Sequence, residues 1–464
     1  MNPYRLGADV IFQAGFTSGV GASVGGYDDG MSNNPNVIAT DTSGNIYVAD
    51  STDRISKFSS AGAFQGWIGK ILTSPTGGAA GCNGAAVGSA TPGWCKGGTS
   101  TSGSGDGMLN GVTGIAIDSS GNIYVIEYDN NRVDKFNSAG VFQGWIGKIA
   151  TSPTGGDAGC NGASVGSATP GWCKGGAAGL GSGDGMLNGP NGIALDSSGN
   201  IYVTDSNHRI SKFNSSGVFQ GWTGKISSSP TGGAAGCNGA SGVTPGWCTG
   251  GTSNSGSGDG MLHTPRGITI DASGNIYVND SNNFRLVKYN SSGVYQGWTG
   301  AVSSTPTGGA AGCSSAAAFS ITPGWCSGGV STTGLGTGAL SLISSALTID
   351  SAGKLYLADG NAQRISKWDA ATGVGIGWIG LINLSPTGGD PGCAGASAGT
   401  LTPGWCSGGN AAGDSRDGAM NSPQSVAVDS SGNLYVADRN NNRVNRYDSA
   451  GVPSGALQFV YFFL

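Results

Sequence analysis

Six copies of one short pattern recur along the chain, and their spacing limits its folding more than any other feature. They are ATDTSGNIYVAD (39–50), AIDSSGNIYVIE (116–127), ALDSSGNIYVTD (194–205), TIDASGNIYVND (269–280), TIDSAGKLYLAD (348–359) and AVDSSGNLYVAD (427–438). The turn glycines Gly44, Gly121, Gly199, Gly274, Gly353 and Gly432 stand 77, 78, 75, 79 and 79 residues apart. Regular self-similarity of this kind signals an array of like units. Each copy reads as two short β-branched strands around a tight turn. Its Ser-Gly-Asn or Ser-Gly core supplies the positive φ that a short hairpin needs.

An Arg-led strand follows each hairpin: RISKFS (54–59), RVDKFN (132–137), RISKFN (209–214), RLVKYN (285–290), RISKWD (364–369) and RVNRYD (443–448). After a further turn comes a fourth strand: GAFQGWIGK (62–70), GVFQGWIGK (140–148), GVFQGWTGK (217–225), GVYQGWTG (293–300) and GVGIGWIG (373–380). Four antiparallel strands and a link to the next copy form the unit of a β-propeller. The string G-I-A-x-D-x-x-G-N-I-Y-V-x-D-x-x-N-x-R-I-x-K-F resembles the NHL repeat. GSGDGMLN (103–110, 181–188) is similar to that family's G-x-G-D-G-x-F-N lead-in. The resemblance implies an all-β fold, a six-bladed β-propeller of four-stranded antiparallel blades, as one domain over residues 1–464. Five GW fourth strands serve six inner sets, so a terminus must supply the last. DVIFQAG (9–15) is expected in that place, and the tail GALQFVYFFL (455–464) competes for it.

An ordinary blade takes about 40–45 residues, so each period carries a surplus of roughly 35. The surplus forms inserts at about 71–110, 149–188, 226–263, 301–342 and 381–421. They are rich in Gly and Ser, and all ten cysteines lie in them, two apiece: Cys82 and Cys95, Cys160 and Cys173, Cys237 and Cys248, Cys313 and Cys326, Cys393 and Cys406. Pairing within each insert is the most economical arrangement. Closing a loop of about 15 residues contributes about 3 kcal/mol on chain-entropy grounds. Structural zinc is the rival, but it wants four ligands and closer Cys spacing. The two histidines, His208 and His263, do not recur from copy to copy. A redox site would want C-x-x-C, which is absent. Neither metal nor cofactor is expected. Five disulfides imply an oxidising compartment, whether periplasm, cell surface or outside.

By the resemblance, the inserts share a face with the loops between second and third strands. Those loops read DSTDR (50–54), EYDNNR (127–132), DSNHR (205–209), DSNNFR (280–285), DGNAQR (359–364) and DRNNNR (438–443). The inserts are therefore expected to crown this Asp/Asn/Arg-rich face. Trp67, Trp145, Trp222, Trp298 and Trp378 on fourth strands are expected to pack between blades, and Trp368 stands for an inner Phe or Tyr. Trp94, Trp172, Trp247, Trp325 and Trp405, each before the second cysteine, either pack on their own disulfide or face outward. Facing outward they are the candidate binding residues, since an aromatic on a polar knob can stack on a sugar or anchor a protein. The recurrent loop Asp and Arg are expected to form internal pairs. Asp106, Asp184 and Asp259 of the Gly-Asp-Gly segments, and Asp417 at the like position, read as turn residues. One carboxylate falls short of the six to eight oxygens of a calcium site.

Glycine makes up 90 of 464 residues, charged residues are 11%, and the net charge is −5, with Glu127 the sole glutamate. That balance gives no reason to bind nucleic acid or an anionic membrane. The longest apolar run, Phe459 to Leu464, falls far short of the ~20 residues that span a bilayer. The N-terminus lacks signal-peptide features, so the chain is expected to be a mature form or a fragment. Some NHL-like propellers are lyases or lactonases whose channel residues break the symmetry. The first strands here (GIAID, GIALD, GITID, SVAVD) show no such break, and no nucleophile–base–acid set is visible. Glu127, His208 and His263 read as substitutions within a repeat. The expected role is a non-enzymatic, extracytoplasmic module binding a protein or glycan through the insert-bearing face. A structural subunit that self-assembles is the alternative.

Overall fold

One aspartate organises each first hairpin turn. Asp118 Oδ1 accepts hydrogen bonds from the Ser120 and Asn122 N–H groups, both at 2.9 Å. Its Oδ2 accepts from Asn122 Nδ2 at 2.8 Å and from the Tyr124 hydroxyl at 3.2 Å. Gly121, at φ +79°, takes the left-handed position that a side chain would strain. Asp41, Asp196, Asp271, Asp350 and Asp429 repeat the device, each also holding the Tyr of its second strand. The computed structural model describes residues 16–17, 29–341 and 346–457.

Among the described residues, six main antiparallel sheets follow one another in chain order. In the second unit Val112–Ile117, Ile123–Glu127, Arg132–Phe136 and Phe142–Thr151 lie side by side. Three short insert strands, Gly155–Gly156, Cys173–Lys174 and Ala177–Gly179, add outside the fourth. Second strands such as Ile123–Glu127 are buried at every position. Their alternating side chains reach both faces of the sheet, and both faces are covered.

The cover comes from neighbouring units, so the apolar core lies between sheets. Tyr124, Ile126 and Ile146 of unit two pack with Ile193, Val203 and Phe213 of unit three. Another cluster joins Ala427, Tyr435 and Val444 of unit six to Ile38, Ile46 and Val48 of unit one. The first strands of all six units line one cavity of ≈ 270 Å³. Its walls carry Val, Ile, Leu, Ala, Gly, Thr, Ser and Asn, and no charged side chain. The arrangement is propeller-like.

The last fourth strand differs from expectation. Pro453–Leu457 occupies that place, paired with Arg443–Tyr447. It follows its third strand through a short turn in which Asp448 accepts from the Val452 N–H at 2.9 Å. A local hairpin forms more readily than a strand returning from the far end of the chain. Residues 9–15 lie outside the described residues. Phe16–Thr17, just beyond them, pairs on the outside of Pro453–Leu457 as a fifth strand.

Candidate functional site

The five expected disulfides form within the inserts: Cys82–Cys95, Cys160–Cys173, Cys237–Cys248, Cys313–Cys326 and Cys393–Cys406. Each places its second cysteine beside the fourth-strand tryptophan, as Cys173 pairs with Trp145. Trp145 is fully buried with Ile149, Cys160 and Cys173, and its indole N–H donates to the Gly175 carbonyl at 3.1 Å. Gly144, at φ +154°, sits where a Cβ would come within 2.9 Å of the Trp172 Cβ. The GW pair thus lets the insert close down on the strand.

This corrects both tryptophan expectations. Trp67, Trp145, Trp222, Trp298 and Trp378 cover the staples, and the insert tryptophans fill the space between units. The Trp172 ring lies 5.7 Å from Tyr124 of its own unit, and its N–H donates to Ser215 O of the next at 3.1 Å. The Lys135 ammonium stands 5.3 Å from the same ring. Trp94, Trp247, Trp325 and Trp405 repeat the contact, donating to Ser138, Ser291, Ala370 and Ser449. Trp172, Trp325 and Trp405 are 5%, 8% and 4% exposed. Trp94 and Trp247 are half-buried in the same contact, so all five rings are engaged on a tyrosine, a lysine and a carbonyl.

The crown is corrected with them. One leg of each insert stays beside the second loops, as Ser100 Oγ donates to Thr52 O at 2.8 Å. The other descends the outer edge to the turn between third and fourth strands of the next unit, where Trp172 meets Ser215. The inserts form an outer wall because the fourth strand's free edge offers them unpaired backbone groups.

The recurrent Asp–Arg pairs are internal. Arg132 Nε donates to Glu127 Oε1 at 2.8 Å, and its Nη atoms reach the carbonyls of Ser104, Gly105 and Met108 at 2.8, 2.9 and 3.0 Å. Arg285–Asp280 and Arg443–Asp438 repeat the ion pair, both at 2.9 Å. The lead-in segment therefore wraps a buried guanidinium in every such unit. Burial pushes the Glu127 and Asp280 carboxyls up, against the pull of their arginines, and raises Asp205 to about 6. The Gly-Asp-Gly aspartates hold the next insert: Asp106, Asp184 and Asp259 accept from the N–H groups of Gly175, Gly250 and Gly328. In unit five, where that motif is missing, Thr337 Oγ1 accepts from Gly408 N at 2.9 Å. Among the described residues no group of three His, Cys, Asp or Glu is placed to hold a metal ion.

The least symmetric part of the molecule is one mouth of the central cavity. Irregular pairing at the start of the first strands frees one residue from the ladder in several units, as between Pro190 and Gly192 and between Pro423 and Ser425. Bulges of this kind re-aim side chains. The aligned residues are Asn36, Thr113, Asn191, Arg266 and Gln424, and they line a ≈ 190 Å³ opening together with Arg439 of the sixth second loop. The unit-five equivalent, residue 345, lies outside the described residues. Asn191 Nδ2 donates to Gly189 O and Gln424 Nε2 to Ser422 Oγ, both at 3.1 Å. No hydrogen bond or ion pair joins the Arg266 guanidinium to the described residues, and its Nε is shielded from solvent. Arg266 stands one residue before the GITID segment, so the symmetry break falls just outside the strand pattern that the sequence displays.

The sequence profile of the NHL repeat matches residues 109–136, 187–213, 262–289 and 420–447. The chain carries NHL repeats. Each matched span runs from the lead-in through the third strand, and the spans fall in units two, three, four and six. No curated protein matches the chain. Among solved structures, it is similar to a streptogramin B lyase at 12% identity and TM-score 0.41, covering 92% of this chain and 96% of that one. A catalytically inactive virginiamycin B lyase from Staphylococcus aureus with quinupristin gives 11% identity and TM-score 0.40, covering 94% and 87%. An auxiliary nutrient binding protein from Bacteroides ovatus gives 12% identity and TM-score 0.44, covering 93% and 76%.

Successive units are latched on the mouth side. The residue ending each second loop adopts positive φ, and in every unit but the fourth, where it is Phe284, its side chain accepts a backbone N–H of the following unit. Asp53 takes Gly111, Asn131 takes Gly189, His208 Nδ1 takes Thr264, Gln363 takes Ser422 and Asn442 takes Asn34. His208 is thereby a latch residue. Burial and the neighbouring His263, 5.5 Å away between ring centres, lower its pKa from the usual 6.5.

Proposed function

We propose that the six units close into a six-bladed β-propeller acting as a non-enzymatic, extracytoplasmic binding module. It recognises a glycan or protein ligand through the face bearing the second loops. The observation that carries this reading is the mouth, where like positions of successive units present Asn36, Thr113, Asn191, Arg266 and Gln424 around one opening. A purely architectural repeat has no need of unlike polar residues at equivalent places. A convergent polar set in a concavity is the usual mark of a ligand site. The contact between units six and one supports closure, and the five disulfides support an oxidising compartment. The absence of enzymatic function is supported by where the unusual residues go: Glu127 into an ion pair and His208 into a latch.

The test is retention on an immobilised glycan and protein panel. The double variant Asn191→Ala/Gln424→Ala is expected to lose retention. Ser120→Arg, on an exposed turn at the opposite end of the strands, is expected to keep it. Equal retention by both variants would remove the mouth from the account.

A further inference from the structure

We infer that the mouth takes a carboxylate-bearing sugar, with Arg266 as its anion-binding residue. The inference rests on the reading of the mouth as the binding site and gives that site its ligand chemistry. Six units could have placed a neutral side chain at this position, and Asn36, Thr113, Asn191 and Gln424 are neutral. Arg266 alone brings a cation among the described residues of the ring. Every buried guanidinium of the Asp–Arg network is wrapped by carbonyls, as Arg132 is by Ser104, Gly105 and Met108. Arg266 has no such partner, although its Nε lies out of reach of solvent. Arg266 is half-buried, and its fork, free of any partner among the described residues, is open to a ligand at the mouth.

The ligand's chemistry follows from the rest of the opening. A guanidinium fork matches a planar carboxylate through two parallel hydrogen bonds. Arg439, exposed on the sixth second loop, adds positive charge at the rim. The amides and hydroxyl of Asn36, Thr113, Asn191 and Gln424 both donate and accept, which suits the hydroxyls of a sugar ring. No aromatic side chain lines the opening, so it offers no slot for a bulky peptide side chain. The ≈ 190 Å³ volume suits one terminal residue of a chain. The uncharged cavity beneath it offers a carboxylate no second cation.

The experiment is an NMR and calorimetric titration of the intact protein with D-glucuronate, D-glucose, acetate and sulfate. Glucuronate is expected to bind at least about tenfold more tightly than glucose, with chemical-shift changes confined to the mouth. A tenfold ratio corresponds to about 1.4 kcal/mol. Arg266→Gln is expected to abolish the preference, and Arg266→Lys to restore part of it. Because Arg266 makes no internal hydrogen bond, both variants should melt with the wild type, which separates lost binding from lost fold. Equal binding of glucuronate and glucose would overturn the anion and leave the mouth standing. Acetate or sulfate binding as tightly as glucuronate would overturn the sugar. If none of the four binds while glycan-panel retention still depends on Asn191 and Gln424, this inference fails alone. If that dependence is lost as well, the binding-site reading fails with it.

Discussion

The Asn442 carboxamide oxygen accepts a hydrogen bond from the Asn34 backbone N–H at 2.8 Å, across 408 residues of chain. It is the same latch that joins units two and three through Asn131 and Gly189, also at 2.8 Å. Nearby, Ser425 Oγ accepts from the Ile38 N–H at 3.1 Å and Thr40 donates to the Val428 carbonyl at 2.9 Å. The join between the ends is therefore built like the joins within the chain. Asn442→Gly keeps the positive φ of the loop and removes the acceptor, leaving a part-buried N–H unpaired. Thermal unfolding should show a loss of about 1–2 kcal/mol. Wild-type stability in the variant would mean that the latch contributes nothing to closure.

Removing one staple should loosen an insert without opening the sheets. The Cys160→Ser/Cys173→Ser pair is expected to cost roughly 3 kcal/mol on chain-entropy grounds. Limited proteolysis should then cut the second insert while the hairpins stay protected. Cuts spread evenly through the chain would show that the staple serves the whole fold.

Trp172→Ala should damage the junction between units two and three. Burial at 5% exposure predicts a loss of about 3–5 kcal/mol, against less than about 0.5 for a surface ring. Trp172→Phe should recover most of it, since packing on Tyr124 is retained and only the bond to Ser215 is lost. A negligible effect of Trp172→Ala in denaturant titration would return this tryptophan to the surface.

Much of this was legible in the sequence, and the misses share a cause. The Asp-x-x-Gly-Asn turns, the inner strands and the cysteine pairs are local devices whose partners lie within about 15 residues, so spacing displays them. The tryptophan roles depend on which side of the fourth strand the insert returns along, and nothing near the insert Trp-Cys pairs encodes that. The tail takes the last fourth strand because a short hairpin competes locally, whereas VIFQAG within 9–15 shares only its sequence pattern with the VFQGWIG strands. Arg266 was hidden differently. It is an ordinary arginine until folding brings it to the same opening as Asn191 and Gln424, and its lack of a partner among the described residues is a property of the folded state.

His208 gives the latch between units three and four a pH dependence. Its folded pKa lies below the usual 6.5, because burial and His263 disfavour the charged ring. As pH falls through 6.5 the unfolded chain takes up the proton first, so this contribution to stability is lost towards acid. Asp205 acts in the opposite sense. Its folded value near 6 lies above the usual 3.8, so its contribution improves as pH falls through that range. Comparison with His208→Asn, which copies Asn131, isolates the histidine: the wild type should lose stability relative to the variant below pH 6.5. Parallel curves from pH 8 to 5 would contradict the latch.

The central claim is one ring of six units around a single mouth, and end-on electron micrographs of the purified protein test it most directly. The account predicts six lobes of similar size around one axial opening, with lobe six in contact with lobe one. An open arc with a gap between those lobes, or a ring of another number, would contradict it.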